Sequence, residues 1–295
     1  MKLAIFGKSG QLSRALQRQL NAGPHTAMYF DRNACNLASD PADIYEFACD
    51  MLEVDVVVLA AAYTGVEQAE DDQETAFAVN AKAPEVIADV CARRDIPLIY
   101  ISTDYVFDGE MQSPYQPDYP ANPLNVYGRS KLAGENAILE RQCEAVVLRT
   151  SWLFDGNGRN FMTAMLKMEE NGKRIRVIGD QIGRPTYVGH LADAVLKVAS
   201  RLNNKNESKT GVYHVTNTGD PVSWAGFARE IFKKSGTQLS APVIIDEILT
   251  EEYAKRVARP AYSVLDTSSF EKTFGLTLPD WRDGLDLALA EWRQH

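Results

Sequence analysis

Short apolar strands alternate with helical stretches from residue 1 to about residue 150, and that alternation is the strongest constraint on what this chain can fold into. Lys2–Phe6, Thr26–Phe30, 55–60, 97–101 and Ala145–Thr150 read as strands, several of them apolar almost without interruption. Stretches with helical character separate them: the segment ending near Asn21, then 41–52, 71–94 and the segment around Tyr127. Strands buried on both faces and joined by helical crossovers specify an α/β fold with a doubly wound parallel sheet. After Trp152 the texture changes: a helix over 160–170, a strand over 174–178, a turn-rich 179–186, a helix over 190–202, a polar run 203–209 read as a solvated loop, a strand over 211–216 and a helix over 224–234. The chain therefore divides into residues 1–150 and a smaller α/β region, 151–295, with the helix near 187–203 packing back on the first part.

Composition matters here for what it excludes. A chain of 295 residues with 45% hydrophobic residues and a mean hydropathy of -0.26 buries a large core and is globular. A net charge of -9 argues against nucleic acid as the main partner, while leaving room for a local basic pocket that takes a small phosphate ligand. No apolar stretch reaches the roughly 18 residues of a membrane span, and the N-terminus begins directly on a strand with no signal-peptide layout, so a cytoplasmic protein with no membrane partner is expected. Cys35, Cys49, Cys91 and Cys143 form no CxxC pair and the histidines are scattered, which predicts free thiols and no metal site.

The first strand ends in Gly7-Lys-Ser9-Gly10-Gln11-Leu12. Glycines between a strand and a helix let backbone N–H groups approach a pyrophosphate, the Rossmann-like arrangement for a dinucleotide, although Ser13 stands where a third glycine is usual. Asp31 closes the second strand, where an acid binds the adenosine ribose of NAD, and Arg32 follows, where a cation accepts the 2′-phosphate of NADP. Both coenzymes therefore stay open. The third strand ends in the small residues Ala60, Ala61 and Ala62, with Tyr63 and Thr64 after them, which permits close approach of a flat ligand or merely tight packing. Asn80, alone among apolar neighbours on its helix, reads either as a satisfied core amide or as an organiser of the site.

The fourth strand ends in Ser102, Thr103, Asp104 and Tyr105, and ligands of open α/β sheets sit beyond such carboxyl ends. Past a loop with prolines at 114, 117, 120 and 123, a helix carries Tyr127 and Lys131, four residues apart and so on one face. Such a pair is common on helix surfaces. Here it follows a polar strand end and a glycine turn in order, and a neighbouring ammonium would lower the tyrosine pKa towards neutrality. A hydroxyl, a phenol and an ammonium suffice to protonate a carbonyl oxygen as hydride reaches its carbon.

Gly7-Lys-Ser-Gly-Gln-Leu12, Ala60-Ala-Ala-Tyr-Thr64, Ser102-Thr-Asp-Tyr-Val-Phe-Asp-Gly109, Tyr127-Gly-Arg-Ser-Lys131, Leu148-Arg-Thr-Ser-Trp152, Asp180-Gln-Ile-Gly-Arg-Pro-Thr186 and Arg259-Pro260 together resemble the dTDP-4-dehydrorhamnose reductases, extended short-chain dehydrogenases, over essentially the whole chain. The resemblance implies NADPH- or NADH-dependent reduction of the 4-keto group of a dTDP-6-deoxyhexulose to dTDP-L-rhamnose, for bacterial surface polysaccharide. It assigns proton donation to Tyr127, nicotinamide-ribose binding and pKa depression to Lys131, and a hydrogen bond to the same oxygen to Thr103. It implies cofactor contacts from the glycine turn, Asp31, Arg32, Asn36, Leu37, residues 60–64, Asn80 and Ser102. Asp104, Tyr105 and Trp152 match positions lining the sugar, and Arg184, Thr186 and Arg259 match positions contacting sugar or diphosphate. Family members form homodimers through a magnesium ion on carboxylates. Ala15 and His190 stand at two of those ligand positions, which leaves dimerisation and Mg2+ dependence open. A sister reductase of other sugar or C4 stereochemistry and a non-catalytic NADP-binding regulatory subunit are the alternatives. A 4,6-dehydratase is disfavoured, because Tyr105 rather than Glu follows Asp104.

Overall fold

The computed structural model describes residues 1–50, 53–169, 174–204, 209–236, 243–253 and 257–294, and its centre is a six-stranded parallel sheet. Five strands come early in the chain: β1 (Lys2–Phe6), β2 (Thr26–Phe30), β3 (Val56–Leu59), β4 (Leu98–Thr103) and β5 (Ala145–Thr150). The sixth, Gly211–His214, pairs with the far side of β5, so the order is Gly211–His214, β5, β4, β3, β1, β2. Strand order reverses between β1 and β3, and the crevice beyond their carboxyl ends is where this topology binds ligands.

Side chains alternate across the sheet with the period of two that a pleated strand imposes. Leu3, Ile5, Val56, Val58, Ile99, Val146 and Leu148 face one core. Ala4, Phe6, Val57, Leu59, Leu98, Tyr100 and Val147 face the other. The first is covered by α1 (Gln11–Asn21), the helix Val188–Asn203 and the helix Ser268–Phe274. The second is covered by α2 (Pro41–Asp50), α5 (Ala83–Arg94) and α6 (Val126–Leu139). The chain thus returns to the sheet after residue 150 with a strand and two helices, and a boundary at 150 does not part the sheet from the rest. Three later helices, Phe161–Glu169, Trp224–Ser235 and Trp281–Trp292, enclose a separate core around Phe154, Met162, Phe227 and Trp281.

The single helix expected over 71–94 is broken, and the break serves the site. After α3 (Val66–Asp71), Asp72 leaves helical geometry and accepts from the Thr75 N–H to start α4 (Gln73–Phe77). A π-helical turn, Ala78–Lys82, then leads into α5, which carries Pro84 at its start. Proline has no N–H to offer the carbonyl four residues back. That carbonyl belongs to Asn80, and it accepts instead from the Tyr100 hydroxyl at 2.6 Å. The predicted polar loop 203–209 has residues 205–208 outside the described residues, as do residues 51–52 of the predicted helix 41–52 and residue 170 of 160–170. No helix among the described residues is long and apolar enough to cross a membrane.

Candidate active site

Beyond the carboxyl ends of β1, β3, β4 and β5 lies a cavity of about 590 Å³. Gly7, Ser9, Gly10, Gln11 and Leu12 form one end, Ala60, Ala61, Ala62 and Thr64 the adjoining wall, and Ser102, Thr103, Asp104, Tyr105, Tyr127, Lys131 and Trp152 the other end. A smaller space of about 90 Å³ shares Gly7, Ala61 and Ala62 with it and is lined by Asp31, Arg32, Asn36 and Leu37. Gly7 has φ +106°, and a Cβ there would stand 2.8 Å from the Ala61 nitrogen, so only glycine lets β1 and β3 end this close together. Two adjoining spaces over a bare glycine turn suit an extended dinucleotide. Ser13 sits 1% exposed inside α1 with its hydroxyl unpartnered among the described residues. Asp31 shows its other side as well: its Oδ1 accepts from the Asn33 and Ala34 N–H groups, both at 3.0 Å, closing the turn after β2.

The catalytic candidates converge. Asn125 caps α6 by accepting from the Gly128 N–H at 2.8 Å, and Val126 donates to Glu70 at 2.8 Å. Tyr127, Lys131 and Glu135 then follow at steps of one helical turn on the sheet side. Gly134 lets α6 pack flush on the π-turn, since a Cβ would overlap the Asn80 carbonyl oxygen. Thr103 accepts from the Tyr105 N–H at 3.2 Å and donates to Asp104 Oδ1 at 3.1 Å. The same hydroxyl also lies within hydrogen-bonding reach of the Tyr127 phenol.

The electrostatics depart from the sequence expectation. Burial pushes the Tyr127 phenol above its ordinary value; a hydrogen bond with Thr103 works against this, while Asp104 and Tyr105 add to it. Lys131 adds no lowering; its Nζ donates to the Ile101 carbonyl at 2.7 Å and lies 3.8 Å from the Tyr100 ring centroid. Burial lowers Lys131 itself to about 7, with Glu135 opposing. Glu135 in turn accepts from Ser102 and holds the buried Arg149 through Nη2 at 2.6 Å and Nε at 3.0 and 3.1 Å. Asp104 is raised to about 6 by burial, against hydrogen bonds from Ser263 and Thr103, and its Oδ2 has no partner among the described residues.

Five expected residues lie outside the walls of both spaces. The Asn80 amide is spent on the Tyr63 backbone, accepting from its N–H at 2.8 Å and donating to its carbonyl at 3.0 Å, and on Ser130 of α6 at 2.9 Å. Asn80 and Tyr63 thus brace the wall from behind. Arg184 donates to the Leu265 carbonyl at 3.3 Å and lines a separate space of about 290 Å³. Thr186 is fully buried beside Leu153. Arg259 meets the site through Tyr105 and pairs with Glu67 at 3.4 Å.

The family model described as RmlD substrate binding domain matches residues 1–294. This chain belongs to that family. Among its relatives, a dTDP-4-dehydrorhamnose reductase of Aggregatibacter actinomycetemcomitans is 35% identical over 288 residues, covering 96% of this chain and 97% of its own length. Two solved dTDP-4-dehydrorhamnose reductases are each 32% identical. The one from Clostridium acetobutylicum superposes with a TM-score of 0.91 over 99% of this chain and 100% of its own. The one from Bacillus anthracis, in complex with NADP, gives 0.90 over 98% and 99%.

In this member of the RmlD family, sequence reading missed several lining residues, among them Arg14, Val66, Ser151 and Arg159. No local pattern marks them, since they reach the cavity from four separate segments. Trp152 carries a further structural signal. It adopts φ +50°, a left-handed conformation unusual for a bulky residue, and stacks on Trp224 at a centroid distance of 3.4 Å. Gly183 leaves the space its indole occupies. Among the described residues no group of three or more His, Cys, Asp and Glu side chains gathers as a metal cluster would. His190 and His214 are buried core histidines, bonded to Asn217 at 2.7 Å and to the Tyr115 carbonyl at 3.0 Å.

Proposed function

We propose that this chain reduces the C4 keto group of dTDP-4-dehydrorhamnose to give dTDP-L-rhamnose, using NADPH or NADH. The observation that carries the reading is the meeting of Thr103, Tyr127 and Lys131 at one end of a cavity whose other end is a bare glycine turn, in a chain of the RmlD family. The residues present fit a dinucleotide: the Gly7 cradle would be filled by any Cβ, and the side space holds both Asp31 and Arg32. When bound, the coenzyme supplies the hydride.

The chain's own residues do the rest. Tyr127 keeps its proton at neutral pH and donates it to the C4 oxygen as that oxygen becomes negative. Thr103, fixed by Asp104 and the Tyr105 N–H, holds the phenol in line. Lys131 would hold the ribose of the coenzyme from one turn along α6. Asp104, with one oxygen free, is suited to a sugar hydroxyl, and Trp152 lines the same cavity.

The test is to mix purified protein with NADPH and dTDP-6-deoxy-L-lyxo-4-hexulose, follow NADPH absorbance, and identify the product by NMR. Coenzyme loss with dTDP-L-rhamnose formed is the expected result. A different C4 epimer would move the protein to a sister reductase, and tight coenzyme binding without turnover would point to a regulatory subunit.

A further inference from the structure

We infer that Arg159 is a diphosphate-binding residue, held on the cavity wall by a strut between Arg14 and Asp155 that ties its loop to the glycine turn. The charged side chains lining the large cavity are Arg14, Lys131, Arg159 and Asp104, three cations to one carboxyl in a chain whose net charge is -9. Positive charge concentrated against the overall balance marks a place for an anion. The three cations are not equally available. Lys131 is turned inward to the Ile101 carbonyl. Arg14 is held at its tip: Nη1 donates to the Ser9 carbonyl at 2.7 Å, and Nη2 donates to Asp155 Oδ2 and the Asn157 carbonyl, both at 3.3 Å, while its Nε has no partner among the described residues. Arg159 is exposed and has no partner among the described residues. Among the described residues of the cavity lining it is the cation whose whole guanidinium is uncommitted.

The loop that carries it is built rather than loose. Asp155 is fully buried, and its Oδ1 accepts from the Asn157 N–H at 3.1 Å and from Asn160 Nδ2 at 2.9 Å. Asn160 Oδ1 accepts from the Thr163 N–H at 3.1 Å, and the Thr163 hydroxyl donates to the Gly158 carbonyl at 2.9 Å. Gly158 has φ +74°, and a Cβ there would stand 2.9 Å from Arg14 Nη2. Glycine is thus what allows the Arg14 guanidinium to lie against the loop while the next residue projects to the rim. Through Arg14, the loop is tied to the Ser9 carbonyl, so the distance from Arg159 to the glycine turn is set by a continuous chain of bonds. Backbone N–H groups at the turn and an uncommitted guanidinium lining the same cavity are the complementary halves of a diphosphate clamp.

This inference rests on the nucleotide reading proposed above. That reading offers two diphosphates, the one in the coenzyme and the one in the thymidine nucleotide, and the shared chemistry is what Arg159 recognises. The experiment measures the affinity of wild type, Arg159→Gln, Arg159→Lys and Gly158→Ala for NADPH, by fluorescence, and for dTDP, by calorimetry, each at low and at high salt. Arg159→Gln should weaken one of the two roughly tenfold, the loss of one charge-assisted hydrogen-bonded contact, and flatten its salt dependence. Arg159→Lys should restore part of the loss. Gly158→Ala should imitate Arg159→Gln with the guanidinium still present, because it displaces Arg14. A loss confined to NADPH assigns the clamp to the coenzyme, and a loss confined to dTDP assigns it to the substrate. Wild-type affinity for both ligands in Arg159→Gln overturns the inference while leaving the proposed function standing. A wild-type protein that binds neither ligand overturns both.

Discussion

Replacing Lys131 by Met asks whether the site's ammonium is buried at a cost to the fold. Lys131 is 1% exposed, among the largest fully buried side chains of the protein, and burial lowers its pKa from 10.5 to about 7. The folded pKa lies below the unfolded one, so between these two values the unfolded chain binds more protons, and stability must rise with pH across that window. A depression of this size amounts to roughly 5 kcal/mol of destabilisation, fully expressed below about pH 7 and gone above about pH 10.5. Between about pH 10 and about pH 6 the contribution changes by about 4 kcal/mol. Met keeps the length of the stem and removes the charge. It also gives up the bond to the Ile101 carbonyl and the contact with the Tyr100 ring, a loss that varies little with pH. Urea unfolding of both proteins across this range should therefore show wild type losing about 4 kcal/mol relative to Lys131→Met as pH falls. A difference that stays flat with pH would refute the reasoning, because it would mean that the ammonium is solvated or fully compensated by Glu135.

The other expectations concern chemistry and packing. Tyr127→Phe removes only the hydroxyl, and should lower kcat by about 10²–10⁴-fold with NADPH affinity nearly unchanged in a fluorescence titration; comparable rates would remove Tyr127 as the proton donor. Asp104 has a folded pKa raised to about 6, so the folded state binds the extra proton and stability falls as pH rises from the unfolded value through 6. Asp104→Asn should cancel that fall, up to roughly 3 kcal/mol, in unfolding measured at about pH 4 and pH 7; an unchanged slope would show that the carboxyl is not buried at a cost. Gly134→Ala drives a methyl group into the Asn80 carbonyl oxygen and should shift α6, costing about 1–3 kcal/mol of stability together with most of the activity; wild-type thermal melting and rate would disprove the close packing. With Asp31 Oδ1 engaged in the turn and Arg32 beside it, NADPH and NADH should both support turnover within about a hundredfold in kcat/KM, and a larger preference for either would contradict the shared pocket.

Some of this protein was decided by its sequence alone. Strands of near-continuous apolar residues at regular intervals, each followed by a helical stretch, admit little besides a parallel sheet covered on both faces, and the topology that resulted is of that kind. The glycine turn, the small residues after β3, the polar end of β4 and the Tyr127–Lys131 spacing are local patterns, so they were legible one segment at a time. Their convergence on one cavity follows once parallel strands place all their carboxyl ends on one side.

What tertiary structure alone decided is whatever depends on which segments meet. The break at Asp72 and the π-turn before Pro84 matter because Tyr100, from another strand, takes the carbonyl the proline leaves free. Asn80 read equally well as a core amide or a site organiser, and its bonds to Tyr63, after β3, and to Ser130, on α6, exist only once those distant segments have met. Arg184 and Arg259 carry the same charge in the sequence as Arg159, yet one faces the Leu265 carbonyl, one lies behind Tyr105, and only Arg159 reaches the cavity wall. The ionisation of the site shows the same division. Spacing put Lys131 one turn from Tyr127, but burial set their proton affinities, moving the lysine down and the phenol up. Periodicity and local chemistry are written along the chain, whereas desolvation and orientation are properties of the packed interior and arise only when distant residues close around a group.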